Sequence, residues 1–439
     1  MNLLDIIIKK REKQKLSRDD ITFWIRGVTS DTFPDYQNAA LLMAIFLNGM
    51  DAEETAWLTY EMAHSGVIFG LSTIPGYKVD KHSTGGVGDT STLVLAPLVA
   101  SLGIPVIKMS GRGLGFSGGT IDKLESIPGF RTALSEEEAL AFAQKSNLVL
   151  MGQTDHLTPA DQKLYALRDV TGTVESLPLI AASITSKKVA AGANGIVLDV
   201  KCGSGGFMKT LEDAQKLAQI MVDMGRRVNR DVNAIISSME QPLGMYIGNR
   251  LEVIEAISIL KGESSGDLLE VSLTLGAHML LLAKAVQTEA EGKAKLLEQI
   301  KNGQGLAKLE ELLIQQGGNP AVLEDTSLLP LSACMHTLAA PSSGYLTQMD
   351  TAKIGRAAQE TGAGRMYKGQ TLDFGAGIIL KKRLGEPIEK GEPLAILYSA
   401  TERKCRAAAE ILAQAITISP QPAPVPPLIL DIIAPESQN

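Results

Sequence analysis

The chain has 439 residues, of which 45% are hydrophobic, so it is long enough for two or three domains with sizeable cores. Its net charge of −7 excludes a broad electrostatic attraction to nucleic acid or to an anionic membrane surface. A small anion can still bind where a few cations cluster.

The cysteines indicate a reducing compartment. Cys202, Cys334 and Cys405 are widely spaced and form no CxxC pair, which argues against a disulfide framework and against a thiolate metal site. The N-terminal apolar run is too short for a signal sequence, and no stretch reaches the length that spans a membrane. We therefore expect a cytoplasmic protein.

Apolar residues recur at helical spacing through about the first 65 residues, and Ser17, Pro34 and Asp51 are suited to helix starts. From Val79 onward, short apolar runs typical of strands alternate with helices rich in small residues. The predicted helix of this region covers 93–102, and the predicted strands lie at 106–107, 148–150 and 195–200. This alternation predicts an α/β domain with a largely parallel sheet.

An amphipathic helical insert, 159–191, interrupts the α/β pattern and is expected to pack with the N-terminal helices. The helical domain would then be built from 1–66 and 160–191, and the α/β domain from 70–155 and 194–335. Residues 207–330 show helical patterns, with helices predicted at 211–228, 251–261, 268–287 and 300–316. A C-terminal α+β domain is predicted for 341–439, with a strand, turn and strand in 375–397 and a proline-rich extended arm at 419–427.

Two glycine-rich segments, 80–92 and 108–123, gather potential anion ligands. Backbone N–H groups at such loops can cradle an oxyanion. The segments also carry cations and hydroxyl groups, on Lys81, Ser83, Thr92, Ser110 and Thr120. Neither segment matches a Walker A loop or a GxGxxG dinucleotide turn followed by a ribose-binding acid. Together they predict a phosphate site.

His82 lies between two of these ligands, Lys81 and Ser83, where a histidine can give a proton to a leaving group near neutral pH. Lys81 would lower the pKa of His82, and a bound phosphate dianion would raise it. The other histidines lack such neighbours and are interpreted as structural.

A second candidate set lies in the helical insert. Ser183 and Lys187 are four residues apart and share one helix face, and Arg168 offers planar paired donors suited to a cyclic amide or imide. Without further context, solvated helix charges are the favoured interpretation of this set.

Residues 110–125, SGRGLGFSGGTIDKLE, resemble the signature of the thymidine and pyrimidine-nucleoside phosphorylases. Supporting similarity lies at 80–89, 164–170, 183–188 and 419–422, and it covers essentially the whole chain. Residues 90–92 and the C-terminal arm resemble the broad-specificity bacterial enzymes more than the strict thymidine enzymes. The chain departs from the family at Phe116 and Ser117, where His-Thr is usual, which bears on substrate preference and loop closure.

The resemblance implies reversible phosphorolysis of uridine, thymidine and deoxyuridine to the free base and an α-pentose 1-phosphate, without an organic cofactor. Catalysis would rest on His82, Arg168 and Lys187, and the pyrimidine would contact Arg168, Ser183 and Lys187. The implied phosphate ligands are Lys81, His82, Ser83, Thr92, Lys108, Met109, Ser110 and Thr120.

The broad-specificity relatives further imply a bound potassium ion and a homodimer formed through the N-terminal helices. The implied potassium ligands are Gly88, Thr90, Leu243, Tyr246 and Glu255, and Tyr246 replaces a smaller residue of the family. The C-terminal domain resembles a lipoyl-like hammerhead without a modification site, so a structural or closure role is expected.

Three other functions stay open. A strict thymidine phosphorylase would share the same site. A phosphoribosyltransferase of the anthranilate type shares the style of the Thr84-Gly85-Gly86 loop and would require a magnesium-bound diphosphate. A nucleoside-binding protein without turnover is conceivable because of Phe116.

Overall fold

The structure, a computed structural model, describes residues 1–113, 118–154, 156–367 and 369–434. The helices are α1 (Leu3–Arg11), α2 (Arg18–Thr29), α3 (Asp35–Asn48), α4 (Ala52–Ala63), α5 (Ser91–Ser101), α6 (Thr120–Glu125), α7 (Glu136–Ser146), α8 (Pro159–Thr171), α9 (Leu177–Ala190), α10 (Leu211–Arg227), α11 (Asn249–Leu260), α12 (Asp267–Leu282), α13 (Glu289–Lys301), α14 (Gln304–Gln315), α15 (Thr351–Thr361) and α16 (Glu402–Ala413). Within these described ranges, no helix is long and apolar enough to cross a membrane.

The strands are β1 (Val79–Ser83), β2 (Val106–Ser110), β3 (Leu148–Gly152), β4 (Gly195–Cys202), β5 (Asp231–Ser238), β6 (Tyr246–Ile247), β7 (Cys334–Ala339), β8 (Gly344–Met349), β9 (Gly377–Leu380), β10 (Pro387–Ile388), β11 (Pro393–Ser399), β12 (Ile416–Ser419) and β13 (Ile429–Ile433). The main sheet has the order β13-β5-β4-β1-β2-β3, and every neighbouring pair in it is parallel except β13 with β5. Helices cover both faces, as a buried parallel sheet requires.

The N-terminal helices share one hydrophobic core with the helical insert. Leu164 of α8 and Leu179 of α9 are buried in the same cluster as Trp24 and Leu41. Ser17 and Asp51 form capping boxes that start α2 and α4, which satisfies backbone donors that a helix start leaves unpaired. The two chain segments therefore make one packed helical layer.

The C-terminal unit combines two small antiparallel sheets, β6-β9-β11-β7 and β10-β8-β12, with α15 and α16. The first of these sheets includes β6, which lies far earlier in the chain. After the C-terminal unit, the chain adds one more strand, β13, to the main sheet. The predicted fold class, a small helical domain, a large α/β domain and a C-terminal α+β unit, is confirmed. The exact domain borders stay a prediction.

One local prediction is incomplete and another is wrong. Helical patterns were expected across 207–330, but this region also contains β5, which is buried over 232–237. The single helix predicted for 300–316 is instead the end of α13 followed by α14, because Gly303 takes a positive φ of 75° and breaks the run.

Candidate active site

The carboxyl ends of β1 and β2 lie side by side, because these parallel strands are neighbours in the main sheet. Helix α5 begins beside them, since the Ser91 hydroxyl accepts a hydrogen bond from Lys81 Nζ at 2.7 Å. A helix start offers free N–H groups and the positive end of the helix dipole. The predicted phosphate ligands belong to these strand ends and to the first residues of α5 and α6: Lys81, His82, Ser83, Thr92, Lys108, Met109, Ser110 and Thr120.

Lys81 is buried and already surrounded by carboxylates. Its Nζ lies 3.4 Å from Asp199 Oδ2 and 3.6 Å from Asp89 Oδ2, and Lys201 lies 2.8 Å from the same Asp199 oxygen. Burial alone would raise the pKa of Asp89, but the charges of Lys81, Lys201 and Lys123 hold that pKa well below its usual value. The network fixes the position of the Lys81 side chain at the end of β1.

Lys108 has different partners from Lys81. It donates a hydrogen bond to the Lys81 carbonyl, and its Nζ lies 3.6 Å from Asp80 Oδ1. Burial and the nearby charge of Lys188 lower the pKa of Lys108 to about 7, with Asp80 acting in the opposite direction. A bound anion would favour the protonated form and so complete the charge balance at this residue.

His82 follows Lys81 on β1 and is only partly exposed. Burial, then the charges of Lys188, Lys108, Lys187 and Lys81, hold the pKa of His82 well below its usual range. Without a bound anion the ring is therefore neutral at pH 7. A phosphate dianion among the same lysines would favour the imidazolium that a proton donor needs.

The predicted base ligands lie on α8 and α9. Lys187 Nζ lies 2.7 Å from Asp161 Oδ2 and 3.5 Å from the hydroxyl of Ser183, one helical turn earlier. The ring of Tyr165 lies between the two cations, 5.4 Å from Lys187 Nζ and 5.7 Å from the Arg168 guanidinium carbon. The expected face sharing of Ser183 and Lys187 is therefore present.

Arg168 is buried and engaged inside the helical insert. Its guanidinium donates hydrogen bonds to the carbonyls of Thr173, Val174 and Leu179. An arginine has five N–H donors, so part of the guanidinium stays available to a ligand. The three bonds fix the plane in which the remaining donors lie.

Lys188, next to Lys187 on α9, connects the helical insert to the main sheet. Its Nζ lies 2.7 Å from Asp80 Oδ2 on β1 and donates to the carbonyl of Met109 on β2 at 3.2 Å. The carboxyl-terminal end of α9 is thereby attached to the strands that carry the predicted phosphate ligands. Lys187 lies near enough to His82 for its charge to help lower the pKa of that ring, while Arg168 is anchored within the insert.

The residues expected to hold potassium converge around two backbone segments. Leu243 N donates to the carbonyl of Val87, and Gly244 N donates to that of Gly88. At Gly88, where φ is +65°, a Cβ atom would lie 3.3 Å from the Gly244 carbonyl oxygen and 3.4 Å from that of Tyr246. A side chain at this position would be crowded by these backbone oxygens and strained by the positive φ, so glycine suits the close approach of the two segments.

Two buried polar groups lie in this region, the Thr90 hydroxyl and the Glu255 carboxyl group. The buried Thr90 hydroxyl has no hydrogen-bond partner within the described ranges. Glu255 is 4% exposed and accepts hydrogen bonds from Met245 N and Tyr246 N. Burial raises the pKa of its carboxyl group to about 7, although these two hydrogen bonds act to lower it. Carbonyl, hydroxyl and carboxylate oxygens are ligands that a hard cation prefers, so these residues fit the implied potassium ion.

Sequence reasoning missed several residues of the site. Asp161 and Tyr165 share a face of α8 with Arg168, at spacings of four and three residues, and that spacing was the available signal. Asp80, Asp199 and Lys188 gave no such signal, because only the strand pairing shows that they are buried together. Phe116 and Ser117 lie outside the described residues.

Comparison with known proteins agrees with this architecture. A model described as the α/β domain of a glycosyl transferase family matches residues 76–306, and a model for the helical bundle domain of that family matches 4–66. A third, for the pyrimidine nucleoside phosphorylase C-terminal domain, matches 345–419. The fold and the site thus define a glycosyl transferase that combines a helical bundle with an α/β domain.

The chain is 51% identical to a pyrimidine-nucleoside phosphorylase of Geobacillus stearothermophilus, over 99% of this chain and all of that protein. It is 53% identical to the enzyme of the same name from Bacillus subtilis (strain 168), over 92% of this chain and 93% of that one. The chain belongs to the pyrimidine-nucleoside phosphorylase family, as its sequence predicted. The crystal structure of anthranilate phosphoribosyltransferase from Thermus thermophilus is similar in fold, with a TM-score of 0.59 at 18% identity over 71% of this chain and 98% of that one.

Proposed function

We propose that this chain catalyses the reversible phosphorolysis of uridine, thymidine and deoxyuridine to the free base and α-D-ribose or α-D-deoxyribose 1-phosphate. The observation that carries the proposal is the attachment of α9 to β1 and β2 through Lys188, Asp80 and the Met109 carbonyl. It holds the end of α9 near enough to β1 for the charge of Lys187 to lower the pKa of His82, which supports a site shared between base and phosphate. The family membership supports the same reaction.

In the proposed reaction a phosphate oxygen attacks the anomeric carbon while the bond from that carbon to the pyrimidine nitrogen breaks. The bonding electrons leave with the base, and the sugar passes through a state with oxocarbenium character. Arg168 and Lys187 stabilise the growing negative charge on the base, and Ser183 offers its hydroxyl to the same ring. A fixed cation in a site shielded from water acts most strongly on that charge.

His82 would carry the proton. Phosphate binds among Lys81, Lys108 and the ends of β1 and β2, and its negative charge favours the protonated ring. The imidazolium then gives a hydrogen bond or a proton to a carbonyl of the departing base. Anion binding would in this way prepare the acid before the glycosidic bond breaks.

We further propose that the helical domain, 1–66 with 160–191, closes onto the α/β domain, 70–155 with 194–335. Such closure would align the two substrates and exclude the water that competes with phosphate. The 341–439 domain would support the closed form. Potassium would be held by Gly88, Thr90, Leu243, Tyr246 and Glu255, and would supply a fixed positive charge that orders the backbone leading into α5.

A cytoplasmic homodimer is part of the proposal. Cys202, Cys334 and Cys405 are free thiols, which suits a reducing compartment. Apolar side chains on α1 and α3 are exposed, including Leu4, Tyr36 and Leu47, and such a patch is typical of an interface between subunits. The N-terminal helices are therefore the surface proposed for dimer contact.

An activity panel tests the reaction. Uridine, thymidine, deoxyuridine and cytidine are each incubated with and without phosphate, in potassium and in sodium buffers. We expect phosphate-dependent release of uracil and thymine, and a lack of release from every pyrimidine nucleoside would overturn the proposal. Release from thymidine and deoxyuridine without uridine would favour a strict thymidine phosphorylase, and a requirement for magnesium and a diphosphate donor would favour the phosphoribosyltransferase. Saturable nucleoside binding without turnover would indicate the non-catalytic homologue.

A further inference from the structure

Two backbone positions of the second glycine-rich segment, Gly113 and Gly119, lie very close together between two predicted phosphate ligands. We call this close approach the neck. Ser110 ends β2, Thr120 begins α6, and Gly113 and Gly119 approach each other between them. A Cβ atom on Gly119 would overlap the backbone nitrogen of Gly113. The spacing of the Ser110 and Thr120 hydroxyls therefore depends on how firmly this neck is held.

Asp122 holds the neck from inside. Its side chain is 3% exposed, its Oδ2 accepts a hydrogen bond from Gly113 N at 2.7 Å, and its Oδ1 accepts one from Arg112 Nη1 at 3.2 Å. Because Asp122 lies in the first turn of α6, it connects the strand side of the neck to the helix that starts with Thr120. A buried carboxylate in this position needs a cation to offset its loss of hydration.

That cation comes mainly from the C-terminal unit. Arg365 follows α15 and donates Nη1 to Asp122 Oδ2 at 2.9 Å and Nη2 to Asp122 Oδ1 at 2.8 Å. The paired geometry is the strongest that arginine and a carboxylate form. The Arg365 side chain is 22% exposed, whereas that of Arg112 is 53% exposed, so water screens the Arg112 contact much more.

The segment that presents Arg365 is itself fixed. Gln359 Nε2 donates to the Arg365 carbonyl at 2.9 Å, and Asn249 Nδ2 at the start of α11 donates to the carbonyl of Ala363 at 2.9 Å. Arg365 also lies within the residues that match the phosphorylase C-terminal domain. The contact therefore ties a separate unit of the chain to the phosphate half of the site.

We propose that Arg365 is a positioning residue for phosphate, which acts through Asp122 to keep Ser110 and Thr120 at the spacing that the anion requires. This inference rests on the proposed function, since it assigns a role within the same site. It gives the C-terminal unit a specific task in substrate binding, beyond a general role in closure. Phosphate affinity should depend on Arg365, whereas nucleoside affinity at saturating phosphate should not.

The test compares Arg365→Met with Arg112→Met, which removes the exposed partner of the same carboxylate together with the paired hydrogen bonds from Arg112 to Glu125. Steady-state kinetics give the KM of each substrate at saturating levels of the other. We expect R365M to raise the KM for phosphate by about 10- to 100-fold, because a small misplacement of binding groups has effects of that order. The KM for the nucleoside should stay within about twofold, and R112M should raise the phosphate KM by less than about threefold.

A variant with the charge kept, Arg365→Lys, covers the case in which R365M does not fold. Lysine supplies one point donor in place of a planar pair, so R365K should recover only part of the phosphate affinity. An unchanged phosphate KM in a folded Arg365 variant would overturn the proposal. Equal increases in the two KM values, or equal effects of R112M and R365M, would also overturn it.

Calorimetric binding of inorganic phosphate separates this inference from the proposed reaction. Phosphate should bind the natural protein more tightly than R365M even if no nucleoside is turned over. Absence of turnover with that difference present would refute the phosphorylase and retain the role of Arg365. Turnover with equal phosphate binding in both proteins would refute the role of Arg365 alone.

Discussion

Substitutions at Lys187 and Asp161 can separate the catalytic role proposed for Lys187 from its contribution to stability. The Asp161 side chain is 1% exposed and its carboxylate lies 2.7 Å from Lys187 Nζ, while the Lys187 side chain is 21% exposed. Removing one partner of a fully buried pair costs about 3–5 kcal/mol, mainly because the other charge is left unpaired. The partial exposure of Lys187 reduces this to about 2–3 kcal/mol for Lys187→Met.

In the proposed reaction, the same substitution also removes a cation from the place where charge grows on the base. Loss of one such stabilising group typically lowers kcat by about 10²- to 10³-fold. K187M should therefore be both less stable and nearly inactive. The double variant K187M/D161N should regain most of the stability, because the buried carboxylate becomes a neutral amide, and it should stay as inactive as K187M.

The measurements are urea unfolding followed by circular dichroism and phosphorolysis of uridine at saturating phosphate. D161N alone is the matched control, because it keeps the lysine while removing its partner, and we expect it to lose about tenfold in kcat. Recovery of activity in K187M/D161N would refute the catalytic role of Lys187. Undiminished activity in folded K187M would refute it as well.

Two further predictions concern ions. Potassium in place of sodium should raise the thermal unfolding midpoint and the activity of the natural protein, and Glu255→Gln should abolish both responses; an equal response in E255Q would exclude Glu255 as a ligand. Because burial and Lys188 lower the pKa of Lys108 to about 7, its cation is present below that pH and lost above it. Binding of sulfate, which keeps its charge throughout, should therefore weaken by up to about tenfold per pH unit above pH 7. Calorimetry from pH 6 to 9 checks this. Lys108→Arg is expected to show a shallower loss of sulfate affinity above pH 7, with only the part that His82 contributes, and a flat profile in the natural protein would contradict the assignment.

The sequence was most informative where the pattern is local. The buried run Gly195–Cys202 was expected as a strand over 195–200, and its eight residues form β4. The insert 159–191 was likewise expected to be helical, and it forms α8 and α9. Such signals depend only on neighbouring residues and on their spacing.

The misses have a common physical cause, which is pairing between distant residues. The apolar run of β5 lies in a region of helical patterns, so it could belong to a helix or a strand until its pairing with β4 is known. A single aspartate such as Asp161 is most often a solvated charge on a helix, and only its burial against Lys187 reveals otherwise. The proline-rich arm was recognised, but the strand that follows it was not.

The final strand, β13, is synthesised long after the strand with which it pairs. It covers the edge of β5, pairing Asp431 with Ile236, and the two residues are about 195 positions apart in the chain. A ribosome that adds about 5–20 residues per second needs on the order of 10–40 s to make this stretch. During that interval the edge of a buried, isoleucine-rich strand has no partner from its own chain, and such an edge can pair with another molecule. The main sheet is therefore most vulnerable to aggregation while the protein is still being made.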